Sequence, residues 1–578
     1  MNACRMAALF SLWLASPALA QTTVPVPQSS VPTRDQLQVP VPERAPSRAR
    51  VDARESIDSP ACPLLDSPLR VDINRVRFMP VGRPAIPAEI QQLLDQVDLP
   101  ATGNQPISNV CIIRDRANAQ LRRGGYIASV QIPPQEVATG ELQLAVVLAR
   151  ISEVRVRGEP GPHRALLERQ IARIRALDPL READIERLLL LTGDAPGLDI
   201  QLSLRPAGTG PGEVIGDLLI QSSAFAVYGN VQNYGARQLG RETGYLRGEL
   251  YGVLTGSDVL YAVASSSLDF DSQQLVQLGY TTGIDGAGTT VGLRGTYAWS
   301  RPDLDTLDLR SESLIVGVDV TRPLLRSVRA NAAIGLGAEW LDQRTRVFGG
   351  PTVSPLNTDK LRIIYARLDS SYRVPDPLGG TLFNLATSVE VRKGVAILGA
   401  SRPGEIRADG ASLSRFEGDP QATVVRGAAN AEIAAGPIFS VLGSARGQWA
   451  NHPLLNLEEF TIGNLAIGRG YDPGSNAGDR AAAVRGEIQA RLPLDLPVAI
   501  RLLAFADAVW LWNLDSGTTE AERTLTSFGG GVNVQLPGLL SLDILYAVPR
   551  DRALSFDPEP PPARLLVSLT ARFSPYVR

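Results

Sequence analysis

Long apolar runs, metal ligands and catalytic motifs are all scarce in this 578-residue chain. No run of about 18 apolar residues occurs outside the N-terminus, so no membrane-spanning helix is predicted. The chain has 3 cysteines and 2 histidines, and these histidines, His163 and His452, lie in different regions, which argues against a metal site. We interpret both as hydrogen-bonded surface residues.

The motifs of common enzymes are also missing. The sequence has no GxxxxGK[ST] phosphate loop and no HExxH motif. It has no GxSxG elbow, and its acidic residues form no pair that we can assign as general acid and base. We therefore expect no enzymatic activity and no cofactor. Lys+Arg number 57 against 60 Asp+Glu, for a net charge of -3, so nucleic acid is not favoured as a partner.

The N-terminus indicates secretion. Arg5 precedes an apolar stretch at residues 6–14, and an A-x-A cleavage site follows at 18–20. Residues 1–20 are therefore predicted to be a signal peptide that is removed. Residues 21–66 are rich in proline, as in the repeated VPVP, and are predicted to be an extended periplasmic linker.

Removal of the signal leaves two cysteines, Cys62 and Cys111. In an oxidising periplasm they could form one disulfide that ties the end of the linker to a helix.

Two small α/β units follow the linker, at residues 67–149 and 150–222. The first is predicted to have strands at 69–78, 128–132 and 141–148, and helices at 87–97 and 108–123. The second is predicted to have strands at 151–156, 198–204 and 214–221, and helices at 163–175 and 182–191. Each unit would expose a sheet edge able to accept an extended chain from a partner. The alternative is a pair of structural spacers.

Residues 223–578 lose helical periodicity and alternate like membrane strands. Leu293 and Trp299 share an apolar face, whereas Arg294 lies on the opposite face. A soluble sandwich would bury such charges without water, but the wet lumen of a transmembrane β-barrel would not. Strands of about 9–11 residues predict roughly 16 antiparallel strands in this region.

One late loop carries an arginine between two glycines, Gly468-Arg469-Gly470, followed by Tyr471. The glycines allow a tight turn from which the arginine projects. About one strand later lies Asp507, on a face shared with Leu503, Phe505 and Val509. A carboxylate there should face the lumen. We expect the loop to fold inward and Arg469 to pair with Asp507.

Several short motifs, in this order, resemble one family of transporters. They are residues 125–129 (GYIAS), 132–135 (IPPQ) and 140–142 (GEL), then 189–191 (LLL), 195–197 (APG), 204–206 (LRP) and 210–212 (GPG), then 233–235 (NYG), Gly240 and 256–258 (GSD), and finally 467–471 (IGRGY) and Phe505-x-Asp507. Together they resemble the two-partner (type V) secretion transporters of the haemolysin-activator and filamentous-haemagglutinin-transporter family, TpsB type. Val509 stands where that family's F-x-D-x-G motif has glycine.

This resemblance implies a 16-stranded barrel in the bacterial outer membrane with two POTRA domains in the periplasm. It implies export of one large, mostly β-helical partner protein without ATP, after the POTRA domains receive the unfolded client. It also implies an Arg469–Asp507 gating pair at the tip of the lumenal loop, with Gly468, Gly470, Tyr471 and Phe505 beside it. Client-binding residues within the POTRA domains are not identified by it.

The implied partners are the exported protein, outer-membrane lipid and, during biogenesis, the barrel-assembly machinery, which reads an aromatic residue near the C-terminus. We expect a monomer. Many members carry an N-terminal plug helix, which the prolines of residues 21–66 do not favour. The alternatives are a factor that inserts other barrels into the membrane and, less favoured, a passive porin.

Overall fold

Sixteen antiparallel strands close into a barrel, preceded by two small α/β units, which confirms the predicted fold class. The computed structural model describes residues 31–38, 51–52, 57, 62–136, 140–304, 307–349, 352–376, 380–463, 467–494 and 496–576. The predicted signal peptide and most of the predicted linker lie outside these residues. No helix in the described ranges is long and apolar enough to cross a membrane.

The elements before the barrel form three sheets, two in the first unit and one in the second, together with four helices. The strands are β1 (Val51–Asp52), β2 (Arg70–Ile73), β3 (Arg75–Pro80), β4 (Gly103–Pro106), β5 (Ala128–Gln131), β6 (Glu141–Leu148), β7 (Arg150–Arg157), β8 (Leu198–Pro206) and β9 (Glu213–Ser222). The helices are α1 (Ala88–Asp95), α2 (Ser108–Arg123), α3 (Arg164–Arg175) and α4 (Glu182–Gly193). The first unit has the sheet β3–β6–β5 and the pair β2–β4, and the second has the sheet β1–β8–β9–β7.

The first unit differs from its prediction in one respect. Residues 69–78 were expected to form one strand, but the chain turns at Asn74, where the backbone N–H groups of Asn74 and Arg75 both donate to the Gly140 carbonyl. β2 then pairs with β4, a strand that was not predicted, and β3 pairs with β6. The sequence of β4, Gly-Asn-Gln-Pro, has no apolar alternation by which it could have been recognised.

Apolar faces hold both units together. In α2, the predicted stripe of Val110, Ile113, Ala117 and Leu121 is buried against the first sheet. In the second unit, Leu189 and Leu190 of α4 join a larger apolar cluster between the helices and the sheet. A disulfide joins Cys62 to the buried Cys111 of α2 and ties the chain before β2 to this core.

The barrel strands follow in chain order. They are β10 (Phe225–Gln232), β11 (Thr243–Tyr251), β12 (Val259–Ser267), β13 (Gln273–Gly283), β14 (Thr290–Ser300), β15 (Asp308–Arg326), β16 (Ala330–Gly349), β17 (Thr352–Pro375), β18 (Thr381–Gly394), β19 (Thr423–Ala435), β20 (Phe439–Ala450), β23 (Arg480–Arg491), β24 (Ala499–Trp512), β25 (Glu522–Leu536), β26 (Leu540–Pro549) and β27 (Arg564–Phe573). Each pairs with the next, and β27 returns to β10. Apolar side chains such as Leu293 and Trp299 are exposed on the outer wall, as their alternation predicts.

The connection between β20 and β23, residues 451–479, is called the lumenal loop here. It contains a 3₁₀ turn (Asn456–Glu458) and a small hairpin of β21 (Phe460–Thr461) and β22 (Ala477–Gly478). Much of it is buried inside the barrel. The expectation that this loop folds inward agrees with its position.

The second α/β unit rests on the short turns at the opposite end of the barrel. His163 is fully buried there, and its Nδ1 donates to the Gly256 carbonyl at 2.6 Å. Our interpretation of His163 as a surface residue was therefore wrong, because the barrel covers it. His452, in the lumenal loop, has an exposed side chain 3.6 Å from Asp419.

Candidate functional site in the barrel lumen

The tip of the lumenal loop reaches the barrel wall at β23, β24 and β25. The backbone N–H of Arg469 donates to Asp507 Oδ2 at 3.1 Å, and Ser527 Oγ donates to the same oxygen at 3.1 Å. The Arg469 guanidinium forms an ion pair with Glu487 at 2.9 Å. It also lies over the Phe505 ring, 4.5 Å from its centroid.

The structure thus brings Arg469 and Asp507 together, with a division of roles that the resemblance did not imply. Asp507 accepts a hydrogen bond from the backbone of the loop, whereas Glu487 on the neighbouring strand forms an ion pair with the Arg469 guanidinium. Glu487 and Asp507 each lie at a buried inward position. Sequence reasoning missed Glu487 because many inward positions of the barrel are charged and nothing in their alternation distinguishes one from another.

Close approach explains the glycines around Arg469. A Cβ at Gly470 would lie 2.8 Å from the Pro549 nitrogen and 2.9 Å from Ser527 Cβ, so only glycine fits without displacing the wall. Gly468 adopts a φ of +70°, which favours glycine. Together they let the loop tip lie flat against β25 and β26.

Tyr471 anchors the tip on the other side. It is fully buried, its hydroxyl donates to the Thr526 carbonyl at 2.9 Å, and the Asp551 N–H donates to that hydroxyl. Val509, at the position where the family has glycine, is buried in the same apolar cluster as Tyr471. The larger side chain is therefore accommodated by contact with the loop.

A second segment also occupies the lumen. Residues 31–38, called the plug segment here, form one turn in which the Leu37 N–H donates to the Thr33 carbonyl. Leu37 is buried in an apolar cluster formed by the inner wall, the β18–β19 connection and the lumenal loop, which comprises Leu275, Ala298, Ile315, Leu341, Leu361, Ile363, Leu413, Leu455 and Leu457. A short turn of the proline-rich region thus occupies part of the lumen, and the expectation about a plug helix falls mostly on residues outside the described ranges.

Arg34 of the plug segment joins the wall to the lumenal loop. Its Nη2 lies 2.5 Å from Glu339 Oε2 on β16, and its Nη1 lies 2.5 Å from Glu458 Oε1 in the loop. All three side chains are nearly inaccessible to solvent. One guanidinium therefore holds the plug segment, the wall and the loop in a single arrangement.

Other arginines share those two glutamates. Arg392 of β18 contacts Glu339 at 2.5 Å and Glu458 at 2.9 Å, and Arg294 contacts Glu339. Arg426 contacts Glu458 at 3.2 Å. The carboxylates would keep charged partners if Arg34 left, so withdrawal of the plug segment would not strand a buried charge.

A third cluster closes the outer mouth of the barrel. Arg415, in the long connection between β18 and β19, donates to Asp479 at 2.5 Å and to Glu459 at 2.7 Å. It also forms an ion pair with Asp515 of another outer connection. A single arginine thus ties three outer segments together above the plug segment. The sequence offered no signal for it, because isolated charges are common in outer loops.

Space remains beside the plug segment. A cavity of about 270 Å³ is lined by arginines and carboxylates that include Arg34, Arg426, Arg446 and Glu390. Charged walls of both signs fit a hydrated passage better than a site for an apolar ligand.

Comparison with known proteins identifies the family. Residues 220–534 match the family described as haemolysin secretion/activation protein ShlB/FhaC/HecB. The chain belongs to this family. It is a TpsB-type outer-membrane translocator of a partner exoprotein.

Similar proteins of known name agree with this assignment. The heme/hemopexin transporter protein HuxB of Haemophilus influenzae is 21% identical over 471 residues, covering 78% of this chain and 79% of HuxB. HuxB of H. influenzae strain 86-028NP is 22% identical, covering 77% and 78%.

Solved structures share the fold. CdiB from Escherichia coli superposes with a TM-score of 0.69 at 16% identity, over 90% of this chain and 94% of CdiB. CdiB from Acinetobacter baumannii gives a TM-score of 0.60 at 14% identity, over 94% and 95%.

Proposed function

We propose that this translocator exports its partner by releasing the plug segment and the lumenal loop together, without ATP and without enzymatic activity. An extended client would bind the two POTRA domains in the periplasm and then pass through the lumen as hydrated chain. The free energy would come from binding of the client and from its folding outside. Charged groups of both signs along the lumen would let the polar backbone of the client stay solvated.

The observation that carries this proposal is the position of Arg34. Because it contacts both Glu339 of the wall and Glu458 of the loop, neither the plug segment nor the loop can move without breaking one of its ion pairs. Concerted release follows from this shared contact.

Release is feasible on energetic grounds. Because Arg392, Arg294 and Arg426 keep the two carboxylates paired, withdrawal of Arg34 should cost less than the about 3–5 kcal/mol of a stranded buried charge. Exposing one leucine such as Leu37 costs about 1.5–3 kcal/mol. An extended client that adds several backbone hydrogen bonds to POTRA sheet edges, at about 0.5–1.5 kcal/mol each, supplies energy of the same order.

The test removes the charge of Arg34 while keeping a polar side chain. Arg34→Gln in purified protein, reconstituted in planar bilayers in KCl, should spend more time in the conducting state than wild type. Arg237→Gln, which changes an exposed arginine of an outer connection, serves as the charge-matched control and should not. Equal conductance of wild type and Arg34→Gln would contradict a plug held by this residue.

The proposed location, partners and oligomeric state of the protein can be tested separately. We place the POTRA domains in the periplasm, lipid around the barrel wall, and the barrel-assembly machinery at the last strand, which ends at Phe573. We propose that the mature protein is a monomer, since each barrel strand already has two neighbours within the chain. External protease on intact cells should leave residues 62–222 uncut, and the detergent-solubilised protein should have the mass of one chain.

The alternative of an insertion factor for other barrels makes a different prediction. Loss of such a factor would lower the amounts of other folded barrel proteins in the outer membrane. Loss of this translocator should leave those amounts unchanged and abolish only the export of its partner.

A further inference from the structure

The barrel closes where its first strand meets its last, and this seam is its shortest ladder. β10 pairs with β27 over six residue pairs, from Val227↔Phe573 to Gln232↔Ser568. Within the described strands, every other pair of barrel neighbours matches eight or more residues, as β26 and β27 do. Backbone pairing therefore holds the seam less firmly than the rest of the wall.

Side chains continue the seam where the ladder ends. β27 extends four residues beyond the ladder toward the outer mouth, and Asn233 reaches across to this extension. Its Nδ2 donates to the Leu565 carbonyl at 2.8 Å, and its Oδ1 accepts from the Val567 N–H at 2.7 Å. The Asn233 N–H also donates to the Val567 carbonyl at 3.1 Å. One backbone bond and two contacts of a single side chain thus close the outer end of the seam, where the regular ladder has ended.

At the outer end of the seam, a residue of the lumenal loop connects the two sides. Asp472, next to Tyr471, accepts two hydrogen bonds from Arg241, at 2.9 and 3.1 Å. Arg241 belongs to the connection that follows β10. On the other side of the seam, Arg564, the first residue of β27, has its Nη1 3.4 Å from Asp472 Oδ1 and donates to the Tyr471 carbonyl. One carboxylate of the loop therefore joins both sides of the seam.

Without Asp472 the same place would carry only positive charge. Arg241 and Arg564 approach the same oxygen, so their guanidiniums would face each other across an unpaired end of the seam. Arg564 is buried, and its Nε and Nη2 have no hydrogen-bond partner among the described residues. Like charges at this distance repel, most strongly where water is excluded.

We propose that Asp472 is a positioning residue that clamps the closure seam, so that withdrawal of the lumenal loop loosens the outer end of the β10–β27 pairing. The clamp would link pore opening to a widening of the barrel mouth at its weakest ladder. This inference rests on the proposed release of the loop during export.

The experiment measures the seam directly and needs no client. A cysteine pair, Val231→Cys with Leu569→Cys, reports how close β10 and β27 lie at the outer end of the ladder. A second pair, Gly229→Cys with Ala571→Cys, lies two residues along the same strands and so has the same ladder geometry. For each pair, the initial rate of cross-linking by copper-phenanthroline, an apolar oxidant that reaches thiols facing lipid, gives the relative effective concentration of one thiol near the other in the reconstituted full chain.

Asp472→Asn should lower this effective concentration about tenfold at the outer pair, the size expected for losing hydrogen bonds to a charged group, and less than twofold at the inner pair. Glu520→Gln is the matched control. Glu520 also holds the lumenal loop, through Asn476, and accepts from the Ser555 N–H, but its hydrogen bonds and ion pair reach neither strand of the seam. General loosening of the loop would make the two variants alike, whereas a seam clamp predicts an effect for Asp472→Asn alone.

Arg241→Gln sharpens the test because the sign of its effect depends on Asp472. In the wild-type background it removes a clamp contact and should loosen the outer pair. In the Asp472→Asn background it removes one of two repelling charges and should tighten it. No change at the outer pair in Asp472→Asn, or an equal change in Glu520→Gln, would overturn the clamp. Export of the partner, measured in parallel, reports on the proposed function independently of the cross-link.

Discussion

Different forces stabilise the second α/β unit and the contents of the barrel lumen. In the unit, residues such as Ile185, Leu189 and Leu202 form a buried apolar cluster, and an ion pair such as Arg155–Glu153 lies on its exposed surface. In the lumen, the plug segment, the loop and the wall meet through buried ion pairs centred on Glu339 and Glu458.

This difference matches what each region has to do. Apolar contacts keep a domain folded while its surface binds other molecules, since their strength depends on the area removed from water. Ion pairs weaken when water and salt reach them, so a lumen held by charges can open as hydrated chain enters. The same charges then face the passage and keep it wet.

The largest effect is expected where the loop tip is held by charge. Arg469→Ala leaves Glu487 without its closest ion-pair partner, and Asp507→Ala removes the acceptor of the loop backbone. The first loss should cost about 3–5 kcal/mol because it strands a buried carboxylate, and the second about 1–3 kcal/mol because it leaves a buried N–H without an acceptor. A loop tip that leaves its place on the wall would obstruct the passage, so export of the partner into the medium should fall at least about tenfold. The barrel should still insert into the outer membrane.

An arginine on the same strand as Asp507 provides the control. Arg501 bonds to Gln535 away from the loop, and Arg501→Ala should export normally. Secretion of the partner at wild-type level by both Arg469→Ala and Asp507→Ala would remove the gating role from these residues.

The apolar region should respond to a cavity and not to salt. Leu189→Ala deletes a fully buried side chain of α4 and should destabilise the second unit by about 2–5 kcal/mol. The measurement is hydrogen exchange of α3 and α4 in the reconstituted protein, at 0.1 and 1 M KCl. Salt should leave this loss unchanged, whereas it should shorten the closed state of the wild-type pore.

Leu219→Ala, at an exposed position of β9, is the matched control and should change exchange little. If salt instead restored or deepened the effect of Leu189→Ala, the contrast between an apolar domain and a charged lumen would be wrong.

Regular periodicity explains which parts of this structure could be predicted. The α2 stripe and the outer faces of strands such as β14 follow from spacing alone, because a helix or a half-exposed strand must bury one face. The nearness of Arg469 to Asp507 was predicted from a glycine-flanked arginine and a carboxylate that should face the lumen, and was also implied by the resemblance of two short motifs. Periodicity repeats along the chain, and the motifs resemble those of a known family. Both signals can therefore be recognised in a single sequence.

Single contacts between distant segments carry no such signal. Arg34 lies in a one-turn segment among prolines, and its partners Glu339 and Glu458 are separated from it by hundreds of residues. His163 looks like a surface residue in its own helix and is buried only because the barrel covers it. The surroundings of such residues depend on how the plug segment, the second α/β unit and the barrel pack against one another, which the local sequence does not indicate.

The smallest expected effect concerns that meeting point and sharpens the comparison, since a buried histidine of the apolar-cored unit makes a polar contact with the barrel there. Burial lowers the pKa of His163, against the opposing effects of the Gly256 and Ser223 backbone and of Asp258. The neutral form is therefore favoured in the docked state, and the stability of the joint is complete above the unfolded pKa of about 6.5 and falls as pH drops below it. The change is at most about 1.4 kcal/mol per pH unit.

Protection of the turn at residues 252–258 from hydrogen exchange, taken relative to the intrinsic exchange rate at each pH, should therefore fall between pH 7 and pH 5.5. His163→Asn keeps a nitrogen donor near the position of Nδ1 but cannot titrate, so the protection of this turn should lose most of its pH dependence. His452→Asn, which changes the exposed histidine of the lumenal loop, should retain it. Acid weakening that persists in His163→Asn would place the titrating group elsewhere at the joint, with Asp258, whose pKa is lowered by hydrogen bonds despite its burial, as the next residue to substitute.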